Sequence, residues 1–182
     1  MNRMVDPGAV FAGWIGLGMA VVLAIAFELV IPVQLLVFLL VPLMGVVIGV
    51  YANVRSERWR PRTRVLANAA WAGLVTGLGI AVLYVALRLV FVYADTGALP
   101  TGLSLECRTG PECTYTRYLE AGRAAELERA GIIDAATFEA ALLGELSYGG
   151  GALMVLTFGG SLVGGAARAL SSRGGGELRA AG

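Results

Sequence analysis

The chain has 182 residues, of which 57% are hydrophobic and 15% are charged, and its formal net charge at pH 7 is +1. A soluble domain carries about 25% charged residues, so this composition predicts a protein embedded in a lipid bilayer. All 14 basic residues are arginine, and histidine is absent. The chain therefore lacks the commonest general base and metal ligand, and also the lysine amine needed for Schiff-base chemistry. We expect no enzyme activity, no metal site and no cofactor.

Four apolar segments are each long enough to cross a bilayer, for which a helix needs about 20 residues. These segments cover residues 10–30, 33–51, 65–92 and 147–168. Pro32 separates the first two segments, which we expect to form a tight hairpin. Pro42 lies inside the second segment and should kink that helix. The sequence thus predicts an all-α membrane protein with four transmembrane helices, the first three of them within residues 1–93.

A basic segment, RSERWRPRTR, separates the second and third spans. It contains five arginines, which are Arg55, Arg58, Arg60, Arg62 and Arg64. Arginines in short loops stay on the cytoplasmic side of the membrane, so we interpret this segment as a topology signal. Contact of the same arginines with anionic lipid headgroups is compatible with that role. Nucleic-acid binding would require a larger basic surface with stacking groups, and we do not expect it.

The topology signal places both termini in the cytoplasm and residues 94–146 on the other side of the membrane. Residues 94–146 are then an extracytoplasmic loop with short helices, and residues 169–182 are a disordered cytoplasmic tail. The exclusive use of arginine and the abundance of alanine, glycine and valine are typical of a GC-rich bacterial genome. We therefore expect a multi-pass protein of the bacterial cytoplasmic (inner) membrane.

The outer loop contains both cysteines of the chain, Cys107 and Cys113. In an oxidising compartment we expect them to form a structural disulfide that closes the turn at residues 109–111. Free thiols are the alternative. A metal site built on two thiolates would need two further ligands, and the chain has neither a histidine nor a third cysteine.

Two short helical patterns follow in the outer loop, at residues 114–131 and 134–146. Gly131 is a suitable end for the first helix, and Asp134 is a suitable N-cap for the second. A miniature core between them could use seven apolar residues: Leu119, Leu127, Ile132, Ile133, Phe138, Leu142 and Leu143. The stretch ELERAGIIDAATFEAALLGEL resembles the helix–turn–helix pattern of the short, usually C-terminal oligomerisation modules known as SHOCT domains. We interpret this resemblance as a shared way of packing two short helices.

Two charged residues, Glu28 and Arg88, lie at similar depths near the outer boundary of their spans, judged from the 1.5 Å rise per helical residue. We expect them to form an intramembrane ion pair, with Glu145 as a competing partner for Arg88. In the alternative interpretation, Glu28 is a proton- or cation-coupling carboxylate, and the chain is a small transporter or channel component that uses Glu28 and Arg88. The remaining polar residues of the spans do not predict a continuous polar path.

Three of the four spans contain a G-x-x-x-G pattern. The glycines of these patterns are Gly45 and Gly49, Gly73 and Gly77, and Gly160 and Gly164. Because hydrocarbon provides little drive for helices to associate, small residues favour association by letting backbones approach closely. The patterns therefore predict tight helix packing, either within one chain or between chains.

Together these features favour a non-enzymatic role. We expect a small integral membrane protein with a structural or complex-accessory function, which packs through its glycine-rich helix faces and its outer loop. Its partners would be the lipid bilayer and either further copies of the chain or a larger membrane complex.

Overall fold

A computed structural model describes residues 4–26, 34–55, 61–94 and 109–180, with the side chains of 34, 35 and 172–180 left out. These residues form helices and connecting turns, with no strand among them. The helices are α1 (Pro7–Ile25), α2 (Gln34–Val54), α3 (Arg62–Tyr93), α4 (Pro111–Glu120), α5 (Ala124–Arg129) and α6 (Ala135–Ala180). The predicted all-α class is confirmed.

Four of these helices contain segments long and apolar enough to cross a membrane. The segments are Pro7–Ile25, Leu36–Val54, Arg62–Tyr93 and Ala135–Ser171. By the length and composition of its helices, the chain is a multi-pass membrane protein, as predicted. α2 passes through Pro42 as one continuous helix.

The last helix differs from the prediction at both ends. α6 begins at Ala135, so the second short helix of the outer loop and the fourth span form one continuous helix. The helix is uninterrupted near residue 147 because the segment contains no proline, and glycines at 149–151 only lower the helix propensity. α6 also continues to Ala180, through the region where a disordered tail was expected.

The chain divides into two compact units. We call residues 1–83 and 150–182 the bundle unit, and residues 84–149 the small unit. In the bundle unit, Gly8 near the start of α1 lies against the Arg55 carbonyl after the end of α2, so these two helices run antiparallel. α1 runs parallel to α3, with Gly13 facing Val75 and Leu17 facing Gly79.

A close backbone contact in the bundle unit joins α2 and α6, which run parallel. A Cβ atom built on Gly45 would overlap the carbonyl oxygen of Thr157, and one on Gly49 would overlap that of Ser161. The arrangement is reciprocal, because Gly160 and Gly164 lie in the same way on the carbonyl oxygens of α2 residues Pro42 and Val46. The two G-x-x-x-G patterns therefore interlock within one chain.

The third glycine pattern contacts the same helix on a neighbouring face. A Cβ atom on Gly73 would lie 2.9 Å from the Ser161 hydroxyl oxygen, and one on Gly77 would lie 3.0 Å from the Met154 carbonyl oxygen. α3 and α6 run antiparallel here, since the later residue of α3 meets the earlier residue of α6. α6 thus packs against both α2 and α3 through small residues on all three helices.

The small unit has an aromatic core in which Phe138 packs against Tyr115 and Tyr118, with ring centroids 6.0 and 5.6 Å away. Leu127 is also buried, whereas Leu119, Ile133 and Leu143 are exposed, so only part of the predicted miniature core forms. The predicted first helix is split into α4 and α5, because Gly122 adopts a φ of 76°, which ends a helix. Gly131, with a φ of 75°, ends α5 close to its predicted position.

Adjacent glycines in α6 provide a matched test of the interlocked contact. Gly160→Ala should lower the free energy of unfolding by about 1–3 kcal/mol, because the added methyl group meets the Pro42 backbone. Gly159→Ala should be neutral or stabilising by up to ~1 kcal/mol, because no other atom lies within 4 Å of its Cβ position. Denaturation of both variants in detergent, followed by circular dichroism, measures the difference. Equal stability of the two variants would show that the contact does not hold the bundle together.

Candidate functional site

A buried polar pair ties the start of α1 to α3. The backbone N–H of Asp6 donates to Oδ1 of Asn68 over 3.0 Å, and Nδ2 of Asn68 donates to Oδ2 of Asp6 over 2.9 Å. Asp6 is only 4% exposed, and Asn68 is fully buried. Asp6 stands at the N-cap position of α1 but makes no side-chain capping bond to that helix. Its carboxylate instead accepts a hydrogen bond from Asn68 of α3.

Asn53 extends this pair to α2. Its Nδ2 donates to the carbonyl oxygens of Gly49, in its own helix, and Val65, over 3.0 and 3.1 Å. Its Oδ1 lies 3.5 Å from Nδ2 of Asn68. Asp6, Asn53 and Asn68 therefore connect three helices at the end of the bundle unit where α2 ends and α3 begins. We call these three residues the polar junction.

Hydroxyl groups lie deeper in the bundle unit. Oγ of Ser161 donates to the carbonyl oxygen of Ala69 in α3 over 2.7 Å, and Oγ1 of Thr157 donates to Leu153 within α6, also over 2.7 Å. Thr76 is buried against Gly16, and its hydroxyl has no hydrogen-bond partner among the described residues. Ser161 thus ties α6 to α3 through a backbone carbonyl, whereas Thr157 bonds within α6.

The polar groups of this site form hydrogen bonds that connect helices to one another. Within the described ranges, no group of three or more His, Cys, Asp or Glu side chains could hold a metal ion. The amides and hydroxyls of the polar junction and of α6 are neutral donors that bond across or along helices. In hydrocarbon, such bonds between helices contribute about 0.6 kcal/mol each on average, and they specify which residues face one another.

Of the predicted ion pair and its competitor, the structure describes Arg88 and Glu145. Glu28 lies outside the described residues, so its pairing with Arg88 stays a prediction. The guanidinium carbon of Arg88 lies 5.8 Å from the centroid of the Tyr84 ring, and its Nε and Nη2 atoms are buried. Glu145, the competing partner, is exposed.

Only one of the two cysteines is described. Cys113 lies in the first turn of α4, is 3% exposed, and is not a free thiol. Cys107 lies outside the described residues, so the disulfide between the two cysteines stays a prediction.

The topology arginines are described in part. Arg58 and Arg60 lie outside the described residues. Arg55 and Arg62 are exposed and Arg64 is half-buried. The guanidinium carbon of Arg55 lies 5.3 Å from the centroid of the Phe11 ring, a cation–π contact between α2 and α1.

An apolar groove of about 670 Å³ lies between α1 and α2. The groove is lined by the second half of α1 and the middle of α2. The lining residues are Ile15, Gly18, Met19, Val22, Leu23, Leu40, Leu43, Met44 and Val47. Gly18 has no other atom within 4 Å of its Cβ position, so this part of α1 is open. The groove has the composition of a surface that faces hydrocarbon.

The turn before α6 in the small unit is fixed by reciprocal bonds. The backbone N–H of Thr137 donates to Oδ1 of Asp134 over 2.7 Å, and the backbone N–H of Asp134 donates to Oγ1 of Thr137 over 3.0 Å. This is the arrangement of a capping box, and the predicted N-cap is confirmed. The backbone and hydroxyl hydrogen bonds from Thr137 hold the pKa of Asp134 below its ordinary value.

No protein-family model, curated protein or solved structure matches the chain. The likeness to SHOCT modules therefore rests on the local pattern of residues 126–146 alone. The fold defines a class, that of multi-pass, all-helical membrane proteins.

The polar junction was missed in part by sequence reasoning. Asn53 and Asn68 are among the polar residues of the spans that predicted no continuous polar path, and no role was predicted for Asp6. A signal was present in the Asp-Pro dipeptide at the start of an apolar run, which is typical of a helix N-terminus. Nothing in the sequence indicates that the carboxylate of Asp6 bonds to a side chain 62 positions away.

A double-mutant cycle tests the Asp6–Asn68 pair. Asp6→Ala and Asn68→Ala should show a coupling free energy of about 1.5–3 kcal/mol, the range for hydrogen bonds that involve a charged group. The same cycle between Asp6→Ala and Thr157→Ala serves as the control and should be additive within about 0.5 kcal/mol, because the Thr157 hydroxyl bonds within its own helix. Additivity of the Asp6 and Asn68 variants would mean that the pair does not stabilise the fold.

The lowered pKa of Asp134 predicts acid sensitivity of the turn before α6. A depressed folded pKa stabilises the fold above the unfolded pKa, and this stabilisation is lost as the pH falls through the folded pKa. Hydrogen exchange at residues 133–138 should therefore accelerate relative to the rest of the small unit as the pH falls below about 4. Asp134→Asn keeps an N-cap side chain but does not titrate, so this pH dependence should disappear. A variant with an unchanged pH profile would rule out the carboxylate as the cause.

Proposed function

We propose that the chain is a non-enzymatic membrane protein with a structural or complex-accessory role. The observation that supports this most is the use of the polar groups in the bundle unit. Four polar residues form hydrogen bonds to one another or to backbone carbonyls. They are Asp6, Asn53, Asn68 and Ser161. Groups that bond in this way stabilise helix packing, whereas a transport path needs polar groups that remain available to the passing ion.

The glycine contacts indicate where a partner would bind. The six glycines of the G-x-x-x-G patterns all lie against other helices of the same chain. A further copy or a membrane complex would therefore have to use other surfaces. This differs from the prediction that the chain associates through its glycine-rich faces, and it leaves the exposed apolar residues as candidates.

Ile133 is the best candidate contact in the small unit. Its side chain is 71% exposed, although the backbone on both sides of it is fixed. Its carbonyl oxygen accepts a hydrogen bond from the hydroxyl of Tyr115 over 2.9 Å, and its N–H donates to Oγ1 of Thr137 over 3.1 Å. An exposed apolar side chain on a rigid turn loses little conformational entropy on binding, which favours a docking role.

The membrane and the orientation of the chain belong to the same proposal. We place it in the bacterial inner membrane with cytoplasmic termini, on the strength of the arginine-rich loop. The outer loop would then be in an oxidising compartment, which supports the Cys107–Cys113 disulfide.

A membrane-impermeant thiol reagent should label these cysteines from outside only after reduction, and labelling without reduction would exclude the disulfide.

Association in mild detergent tests the accessory role. The purified chain should be recovered as an oligomer or with a co-purifying membrane protein, as measured by native mass spectrometry. Ile133→Asp should lower the recovered complex at least about fivefold, since burying an unpaired charge costs more than 1 kcal/mol. Ala140→Asp adds the same charge at another exposed position of the small unit and should have little effect. Recovery of a lone monomer under all conditions would contradict the proposal.

The alternative function is a small transporter or channel component that uses Glu28 and Arg88. The buried guanidinium atoms of Arg88, within a candidate span, favour it. Proteoliposomes loaded with a pH-sensitive dye should then show a proton flux that disappears in Glu28→Gln. An unchanged flux in that variant would exclude the carboxylate, and absence of flux in the unmodified chain would exclude proton transport.

A further inference from the structure

Three helices of the bundle unit meet at one point near the polar junction. Nδ2 of Asn53 in α2 lies 3.1 Å from the carbonyl oxygen of Val65 in α3. A Cβ atom on Gly165 of α6 would lie 3.8 Å from the same Nδ2 and 3.7 Å from the same carbonyl oxygen. Asn53, Val65 and Gly165 therefore mark the same level of the bundle unit.

Each of these three residues is followed, toward the same end of the bundle unit, by an arginine. Arg55 comes two residues after Asn53, Arg62 three residues before Val65, and Arg168 three residues after Gly165. At 1.5 Å per residue, all three arginines lie within about one helical turn of the meeting point. We call Arg55, Arg62 and Arg168 the arginine triad.

The arginine triad is exposed and carries a net positive field. All three side chains are exposed to the medium. Among the described side chains of the bundle unit the one acid is Asp6, which is buried and hydrogen-bonded to Asn68. α3 also begins at Arg62, so the positive end of its helix dipole adds to the same field.

The helices that carry the arginine triad also expose large apolar side chains. Val54, Leu66, Trp71 and Leu170, on the same three helices, are exposed large hydrophobic residues. All four lie within helices that are candidate membrane spans. Exposed arginines and exposed apolar side chains on the same helices match a ligand with an anionic head and a hydrocarbon tail, and tryptophan is typical of the membrane interface.

We propose that the arginine triad binds the phosphate of an anionic phospholipid, whose acyl chains lie along the apolar residues beside it. Guanidinium groups bind phosphate oxygens through paired, charge-assisted hydrogen bonds. The contacts among Asn53, Val65 and Gly165 place the three arginines at one level of the bundle unit, which is the level of the proposed headgroup. The arginine segment that orients the chain thus also supplies part of a lipid site.

Native mass spectrometry of the full chain in detergent tests this proposal, with phosphatidylglycerol compared with phosphatidylcholine as the probe. The unmodified chain should retain phosphatidylglycerol preferentially. Each change of Arg55, Arg62 or Arg168 to Gln should lower this preference about fivefold, and the triple change on the order of a hundredfold, since each arginine near an anionic surface contributes about 1 kcal/mol.

The small unit offers a control with the same loss of charge. The triple change of Arg117, Arg123 and Arg129 to Gln should leave the phosphatidylglycerol preference within about twofold, well inside one arginine's contribution. An equal loss in both triple variants would overturn the proposal and indicate a general effect of net charge. The single variants keep the test valid if the triple variant fails to fold.

Inorganic phosphate distinguishes a lipid from a free anion. Because the proposed site also binds the acyl chains, millimolar phosphate should not displace phosphatidylglycerol. Displacement by phosphate alone, or equal retention of phosphatidylcholine, would overturn the assignment to an anionic lipid.

Discussion

Close contact between the backbones of α2 and α6 is the interaction on which the bundle unit depends. Lipid tails are as apolar as leucine side chains, so helices gain little by burying apolar surface against each other in a bilayer. Four glycines at this contact have no side chain that would hold the two helices apart. They are Gly45, Gly49, Gly160 and Gly164. Each glycine then brings its Cα–H group close to a carbonyl oxygen of the facing helix, which is a weak hydrogen bond that recurs at such interfaces.

Close approach alone does not specify which residues face one another, and the polar groups supply that specificity. α3 is the common partner of these groups, because Asn68 bonds to Asp6, Val65 accepts from Asn53, and Ala69 accepts from Ser161. The three contacts lie within two turns of α3 and reach the other three helices of the bundle unit. A shift of any helix by one turn would leave donors unpaired in an apolar medium, where an unsatisfied polar group is costly.

The sequence was sufficient for the number and type of the long helices, because the length of an apolar run directly measures its capacity to span a bilayer. It was insufficient for the glycine contacts, because a G-x-x-x-G pattern has the same form whether the facing helix belongs to the same chain or to another. The continuity of α6 from the outer loop into the fourth span was missed for a related reason. Hydropathy locates the edge of the membrane, but a helix can continue beyond that edge, as α6 does back to Ala135.

The small unit and the polar junction show the limits of composition more sharply. Ile133 is apolar and was expected in a core, yet the capping bonds around Asp134 hold its backbone so that the side chain is exposed. Asp6 carries a charge, which disfavours burial, yet its pairing with Asn68 makes burial acceptable. In both cases a hydrogen bond decided where the side chain lies, and hydrogen bonds to distant residues leave no periodic signal. The same dependence governs the arginine triad, because the contact of Asn53 with Val65 sets the spacing of α2 and α3, and hence of Arg55 and Arg62.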